Sequence, residues 1–148
     1  MTAANHVATP DTIQAVHPTV LAFMTCRQIE AGSLRRDGRL SLHFDDIHRV
    51  HICPSPHERI ALTASLLALG AMPSEQAVEQ LLSTLTRKAT GMLQKHPSTL
   101  CIDPRGQSLQ LQQVLESDIN VEELENALAE FVNALAFWRE TVAANKGS

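Results

Sequence analysis

Aromatic side chains are scarce in this 148-residue chain, which has four phenylalanines, one tryptophan and no tyrosine. Proteins that hold single-stranded nucleic acid stack its bases on aromatic rings, and such rings are nearly missing here. Basic residues number twelve against sixteen acidic ones, and they form isolated pairs such as Arg35-Arg36 and Arg87-Lys88. A surface that follows a phosphate backbone needs a denser basic stripe. We therefore expect no nucleic-acid partner.

Cysteine and long apolar runs are also scarce. The three cysteines, Cys26, Cys53 and Cys101, are odd in number and far apart, which is typical of reduced thiols that behave as small buried hydrophobes. No window reaches the ~18 apolar residues of a membrane-spanning helix. The first eleven residues carry neither the basic lead nor the apolar run of a signal peptide. We expect a cytoplasmic protein that does not insert into a membrane.

The common signatures of enzymes are missing as well. The sequence has no Gly-x-Ser-x-Gly elbow, and Gly106 belongs to a turn and not to a phosphate-binding loop. Asp45 and Asp46 are adjacent, so on a strand their side chains would point to opposite faces. A catalytic triad assembled in space from distant residues stays open as an alternative. The sequence favours a protein without catalysis and without a cofactor.

Histidines cluster in one stretch and raise a second alternative. Imidazole and thiolate groups are ordinary zinc or copper ligands, and five of them fall within fifteen positions. They are His43, His48, His51, Cys53 and His57. Their spacing matches no standard zinc pattern, and three of them fall on the polar face of predicted strands. We expect no metal, with a His/Cys metal-binding protein kept as an alternative.

Apolar spacing in the first half of the chain predicts one helix and three strands. The helix runs from about Pro18 to Ala31, because Pro18 suits a first helical position and Gly32 supplies a stop. With a short helical turn predicted at 13–16, it forms either one kinked element or two pieces. Asp37-Gly38 predicts a turn before the first strand. Pro54-Ser55-Pro56 is expected to be a loop, since proline cannot donate a ladder hydrogen bond. The predicted strands are 40–44, 47–53 and 59–69, the last with Ile60, Leu62, Ala64 and Leu66 on one face.

The second half predicts a helix, a hairpin and a long helix. The second helix runs from Pro73 or Ser74 to His96-Pro97. Alternating strands at 98–103 and 107–112 flank a turn at 104–106. Asn120 and Glu123 then form a capping-box pattern at the start of the last helix. That helix has core positions at Phe131, Leu135 and Trp138, and it ends near Val142.

The order of elements is therefore α-β-β-β-α-β-β-α. Runs of strands separated by helices favour an α+β fold in which helices pack on an antiparallel sheet. We expect one domain over residues 18–143, preceded by a flexible or short helical segment at 1–17 and followed by a tail at 144–148.

This order, together with particular residues, resembles the class I chaperones of bacterial type III secretion, the CesT/SycE-like family. The resemblance covers about residues 18–142. The matching stretches are Leu40-x-Leu-x-Phe44-Asp45-Asp46, Leu81-Leu82, Leu100-x-Ile102-Asp103, Leu109-x-Leu111 and Phe131 to Trp138.

The resemblance implies a homodimer in the bacterial cytoplasm that binds secreted effector proteins. It holds the effector's N-terminal region extended and keeps it competent for secretion, with no cofactor or bond chemistry. A contact with the ATPase of the secretion apparatus is a further expectation. A regulatory binding protein of the same fold, which couples secretion to expression, stays open as an alternative.

Two sets of residues are the candidate contact surfaces under this reading. Effector binding is assigned to the first helix and first strands: Val20, Phe23, Met24, Leu40, Leu42, Phe44, Val50 and Ile52. Dimerisation is assigned to the second helix and the strand after it: Leu81, Leu82, Leu85, Met92, Leu100 and Ile102. The alternative for both sets is that the residues form the core, because one stripe of each element must be buried in any case.

Overall fold

A computed structural model describes residues 16–44, 48–92, 98–103 and 105–146, and it shows the predicted α+β order of elements. Within the described part, no helix is apolar enough over a sufficient length to span a bilayer. The elements are α1 (Pro18–Cys26), β1 (Leu40–Phe44), β2 (His48–Ser55), β3 (Arg59–Ala68), α2 (Glu75–Met92), β4 (Thr99–Ile102), β5 (Ser108–Leu115) and α3 (Val121–Lys146).

The five strands form one antiparallel sheet in the order β1-β2-β3-β5-β4, so β1 and β4 are its edges. Burial alternates along β2 and β5, and in β5 the residues Leu109, Leu111, Gln113 and Leu115 are buried. This alternation gives the sheet a core face, which α1 and α3 cover, and an open face of polar and small side chains. The predicted fold class is confirmed.

The core lies between the sheet and the helices, and α2 contributes Leu81 and Leu85 to it. From α3, Leu124, Phe131 and Leu135 have no exposed surface, and Trp138 is 2% exposed. Leu62 and Leu111 from the two central strands are also fully buried. The expectation that Phe131, Leu135 and Trp138 are core residues is confirmed.

Hydrogen bonds fix the starts of α1 and α3. His17 caps α1 by accepting from the backbone N–H of Thr19 at Nδ1, and its Nε2–H donates to the carbonyl of Ser117 at 2.6 Å. At α3, the Asn120 side chain accepts from the N–H of Glu123 at 2.8 Å, and the Glu123 carboxylate accepts from the N–H of Asn120 at 3.1 Å. The predicted capping box is therefore present, and Pro18 is the first helical residue as expected.

The end of α1 differs from the prediction. The helix ends at Cys26 and not at Ala31, because Gln28 takes a left-handed backbone conformation with φ 56°. The N–H of Ile29 donates to the carbonyl of Met24, and the N–H of Gln28 donates to that of Thr25. These two bonds form a Schellman motif, which ends a helix without needing glycine. The predicted stop at Gly32 was wrong.

The strands also differ from the prediction. Pro54 and Ser55 belong to β2, where Pro54 is opposite Ile60, so the predicted loop was wrong at these residues. Proline is tolerated here because the pairing of β2 with β1 ends at Ile52. No β1 carbonyl therefore lacks a hydrogen bond through the absence of the proline N–H. In β3 a bulge between Ser65 and Leu67 shifts the register. Leu67, and not the predicted Leu66, is therefore the buried residue.

Other predicted boundaries are only partly described. Residues 1–15 and 147–148, the start of the predicted second strand at Ile47 and the predicted end of the second helix at His96-Pro97 lie outside the described residues. Val16 is buried and His17 is the α1 cap, while α3 continues to Lys146. The proposed division into a leading segment, a domain and a tail stays a prediction.

Replacing Gly38 with alanine should destabilise the protein by about 1–3 kcal/mol. Gly38 has φ 88°, and an added Cβ would lie 2.8 Å from Cγ of Pro54 in β2. Urea unfolding of Gly38→Ala measures the loss. Gly32→Ala is the matched control, since a Cβ there meets no atom within 4 Å. Equal stability of the two variants would contradict the assignment of Gly38 as a turn that only glycine fits.

Candidate functional site

A groove of about 480 Å³ opens between α1, β1 and α3 on the core side of the sheet. Its floor is apolar, with Leu42 and Phe44 from β1 and Leu128 and Val132 from α3. The complete lining is Phe23, Arg27, Ile29, Leu42, His43, Phe44, Glu125, Leu128, Ala129, Val132 and Asn133. A concave surface of this kind, apolar with a polar rim, is the usual form of a binding site.

The two charged residues of the groove neutralise each other. Nε of Arg27 at the end of α1 lies 3.3 Å from Oε1 of Glu125 on α3. An exposed pair of this type contributes about 0–1 kcal/mol, so its stabilising effect is small. Its more important consequence is that the groove itself carries no net charge from this pair. Binding there must depend on apolar contact.

The groove lies beside a free strand edge. β1 is the first strand of the sheet, and Leu34 pairs with Leu40 as an isolated bridge. Beyond that bridge, no described strand pairs with the outer edge of residues 41–44. An extended peptide laid along this edge could add main-chain hydrogen bonds to the sheet. Leu42 and Phe44 would then meet its side chains in the groove.

Six of the eight residues expected to bind an effector are in the core. Leu40 and Val50 have no exposed surface, and the other four are at most 4% exposed: Val20, Phe23, Met24 and Ile52. Phe23 also lines the groove from below. Leu42 and Phe44 are half-buried and line it directly. The assignment of effector contact to these residues stays a prediction, and the structure brings three of the eight to one groove.

The groove contains residues that sequence reasoning missed. Ile29 reaches it because the Schellman motif turns the chain back after α1. Leu128, Ala129 and Val132 come from α3, which was interpreted as core throughout. Ala129 is exposed and Val132 only half-buried, so this side of α3 lies beside the core stripe and faces the groove. The sequence signal that could have indicated these residues is the mixture of apolar and polar positions beside the core stripe of α3.

The residues expected at a dimer interface divide into two groups. Leu81 and Leu85 are buried inside the protomer, at 3% and 1% exposure. Leu82 and Leu100 are half-buried, and Ile102 on the edge strand β4 is 46% exposed. Met92 is the last described residue of α2, and its side chain lies outside the described part. The dimer assignment also stays a prediction.

The histidine cluster is divided between the two faces of the sheet. His48 faces the core and is 8% exposed, whereas His43, His51 and Cys53 occupy alternate positions on the open face. On that face the His51 Nδ1 is hydrogen-bonded to the Ser41 hydroxyl at 2.7 Å, and Arg49 donates from Nε to the His43 Nε2 at 3.1 Å. Among the described residues, no three His, Cys, Asp or Glu side chains are arranged to hold a metal ion.

The thiols also differ from one another. Burial raises the pKa of both Cys53 and Cys101, so both are protonated at neutral pH and unsuited to act as nucleophiles. Cys26 is exposed, which corrects the expectation that all three would be buried. It is the last residue of α1, and its side chain lies outside the core.

Comparison with known proteins gives a consistent family. The sequence model of the Tir chaperone protein (CesT) family matches residues 23–139. No curated protein matches the chain significantly.

Solved structures agree on the fold. A chain of the HopA1–SchA chaperone–effector complex is similar over 87% of this chain and 94% of its own, with a TM-score of 0.61 at 16% identity. A chain of the ExsC–ExsE complex is similar over 86% of this chain and 92% of its own, with a TM-score of 0.61 at 21% identity. The structure of the Yersinia pestis type III secretion chaperone SycH in complex with a fragment of YscM2 is similar over 82% of this chain and 98% of its own, with a TM-score of 0.54 at 15% identity.

The environment of His51 predicts a pH dependence of stability. Burial lowers the pKa of His51 below its ordinary value of 6.5, with further lowering by Arg39 and Arg49. The unfolded chain takes up a proton near the ordinary value, while the folded chain does so only at lower pH. Stability should therefore fall as the pH drops through this window. Urea unfolding at about pH 7.5 and about pH 5.5 should show a smaller loss for His51→Gln than for the wild type. Equal losses would contradict this role.

Proposed function

Because the chain belongs to the Tir chaperone protein (CesT) family of type III secretion chaperones, which bind effector proteins, we propose that it holds the extended N-terminal region of an effector in the groove between α1, β1 and α3. The observation that carries this assignment is the position of the apolar groove beside the free edge of β1. Side chains of an extended segment enter the groove while its backbone pairs with the strand.

The physics of binding an unfolded segment favours such a site. A disordered segment loses conformational entropy when it becomes ordered, so it must bury apolar area and satisfy its backbone in return. Burying one large aliphatic or aromatic side chain contributes about 1.5–3 kcal/mol. The groove offers Leu42, Phe44 and Val132 to such side chains. The edge strand supplies hydrogen-bond partners for the backbone between them.

Similar folds occur in complexes with partner proteins, which supports the same use here. One such chain belongs to the HopA1–SchA chaperone–effector complex, and SycH is a type III secretion chaperone in complex with a fragment of YscM2. A regulatory protein of the same fold remains the alternative. Identification of the partner that co-purifies from the native host distinguishes the two.

We also propose that the chain acts as a homodimer through α2 and β4. Ile102 is exposed on the edge strand β4. Leu100 on the same strand and Leu82 on α2 are half-buried. An isolated exposed edge strand risks non-specific pairing, and a two-fold contact would cover it. Leu81 and Leu85 support this surface from inside the protomer and do not form it.

The remaining expectations follow from family membership. We propose a bacterial cytoplasmic location, no cofactor and no bond chemistry, since the family is one of chaperones. A contact with the ATPase of the secretion apparatus stays an expectation to which no surface is assigned.

Leu42→Asp should abolish formation of the effector complex while the chain stays folded. Leu42 is half-buried on the groove floor, so a carboxylate there would lose its hydration when the groove fills. Val114→Asp is the matched control, because it places the same charge on a strand aliphatic that is 44% exposed outside the groove. Co-expression and co-purification with an effector measure the complex. Retention of the effector by Leu42→Asp would contradict the groove assignment, and loss of folding would show that Leu42 belongs to the core.

Ile102→Asp should convert the dimer to a monomer of 16.2 kDa, as read by native mass spectrometry. The substitution places a charge in an apolar contact between two copies of the same surface. Val114→Asp again serves as the control, since Ile102 and Val114 are exposed to similar extents, 46% and 44%. A wild-type protein that is monomeric, or an Ile102→Asp variant that stays dimeric, would contradict the β4 interface.

A further inference from the structure

Among the described residues, the open face of the sheet is more basic than the chain as a whole. The chain has a net charge of −4, yet no residue of the five strands is an aspartate or a glutamate. Polar, small and basic residues occupy the open face instead. Its positive charge is concentrated at the β1–β2 side, where the groove also lies.

Three arginines form this basic surface, which we define as Arg35, Arg39 and Arg49. Arg49 is an exposed residue of β2 opposite His43 of β1, to which it donates from Nε. Arg39 precedes β1, and its charge acts on both His51 and Cys53 of the open face. The neighbouring turn brings Arg35 close, because its N–H donates to the carbonyl of Arg39 at 2.8 Å.

The positive charge of this surface is only partly compensated. Asp37 is the carboxylate that acts on His51, and its Oδ1 accepts from the backbone N–H of Arg39 at 3.0 Å. The described structure shows no hydrogen-bond partner for the buried Nε of Arg39. All three arginines lower the pKa of His51, so their combined field reaches the centre of the β1–β2 ladder. Among the residues that the structure describes, three guanidinium groups and one carboxylate leave a local excess of positive charge.

The strand β1 separates this basic surface from the apolar groove. Leu42 and Phe44 face the groove, while Ser41 and His43 alternate with them and lie opposite His51 and Arg49 on the open side; His43, at the edge of the sheet, also borders the groove. Side chains of a strand added along β1 must alternate in the same way. Those that point to one side meet apolar groups, and those that point to the other side meet arginines.

We propose that the partner segment held along β1 is an amphipathic strand in which apolar residues alternate with acidic ones, with its carboxylates facing Arg35, Arg39 and Arg49. This inference rests on the proposed function and specifies the chemistry of its ligand. Charge complementarity supports it, because the rim pair Arg27–Glu125 neutralises the groove side while the open side stays basic. Guanidinium–carboxylate pairing then gives different affinities to segments whose apolar residues would bind the groove equally well.

Three short labelled peptides test the proposal by fluorescence anisotropy. All have the same apolar residues at alternate positions, and the intervening positions are Glu, Gln or Lys. The Glu peptide should bind about fivefold or more tightly than the Gln peptide at low ionic strength, and the difference should shrink in high salt. The net negative charge of the chain favours the opposite order, with the Lys peptide tightest. The order of the three affinities therefore separates the local surface from the overall charge.

Variants locate the preference on the protein. Arg35→Gln/Arg49→Gln should remove the advantage of the Glu peptide and leave binding of the Gln peptide unchanged. Arg105→Gln is the control for a general effect of charge, because it removes one positive charge from the turn at the opposite edge of the sheet. If the double variant does not fold, the wild-type comparison of peptides still decides.

The outcomes distinguish this inference from the proposed function. Equal binding of the three peptides, or tighter binding of the Lys peptide, would overturn the acidic preference and leave the groove assignment standing. The acidic preference would also be overturned if Arg105→Gln weakened binding of the Glu peptide as much as Arg35→Gln/Arg49→Gln does. Absence of binding by all three peptides, together with co-purification of an effector by Leu42→Asp, would overturn the groove assignment and the inference with it.

Discussion

The contact of α3 with the core face of the sheet is the interaction on which the other features depend. Leu124, Phe131 and Leu135 are fully buried there, and each such side chain contributes about 1.5–3 kcal/mol of apolar burial. Because α3 is 26 residues long and α1 only nine, α1 covers only part of the sheet beside it. The groove is the part of this layer that the short helix leaves open. The Schellman motif at Gln28 therefore sets the extent of the candidate site.

The two edges of the sheet have different surroundings, and this difference separates the two proposed contacts. The β1 edge adjoins the apolar groove on one side and arginines on the other, so it suits a peptide whose two faces differ. The β4 edge carries exposed Ile102 and follows α2, which suits a second copy of the same surface. A chaperone that uses opposite edges for its partner and for itself can bind an effector without breaking the dimer.

Local sequence signals predicted the elements well but could not locate the site. The Asn120–Glu123 capping box and the turn at Asp37-Gly38 are determined by neighbouring residues, so both could be read directly. The end of α1 could not, because Gln28 adopts a conformation that normally indicates glycine. The bulge between Ser65 and Leu67 similarly exchanged which leucine is buried. Alternation gave the two faces of β1 and β2, but it did not show that Leu40, Val50 and Ile52 would be buried while Leu42 and Phe44 lie at an open groove.

Hydrogen–deuterium exchange of the amides of β1 tests the central claim most directly. Measured on the protein with and without a bound effector, exchange in Leu40–Phe44 should slow on binding, because the free edge gains a paired strand. Exchange in Thr99–Ile102 at the other edge should be unaffected by the effector. An effector that binds and leaves β1 exchange unchanged, or that protects only β4, would contradict the account.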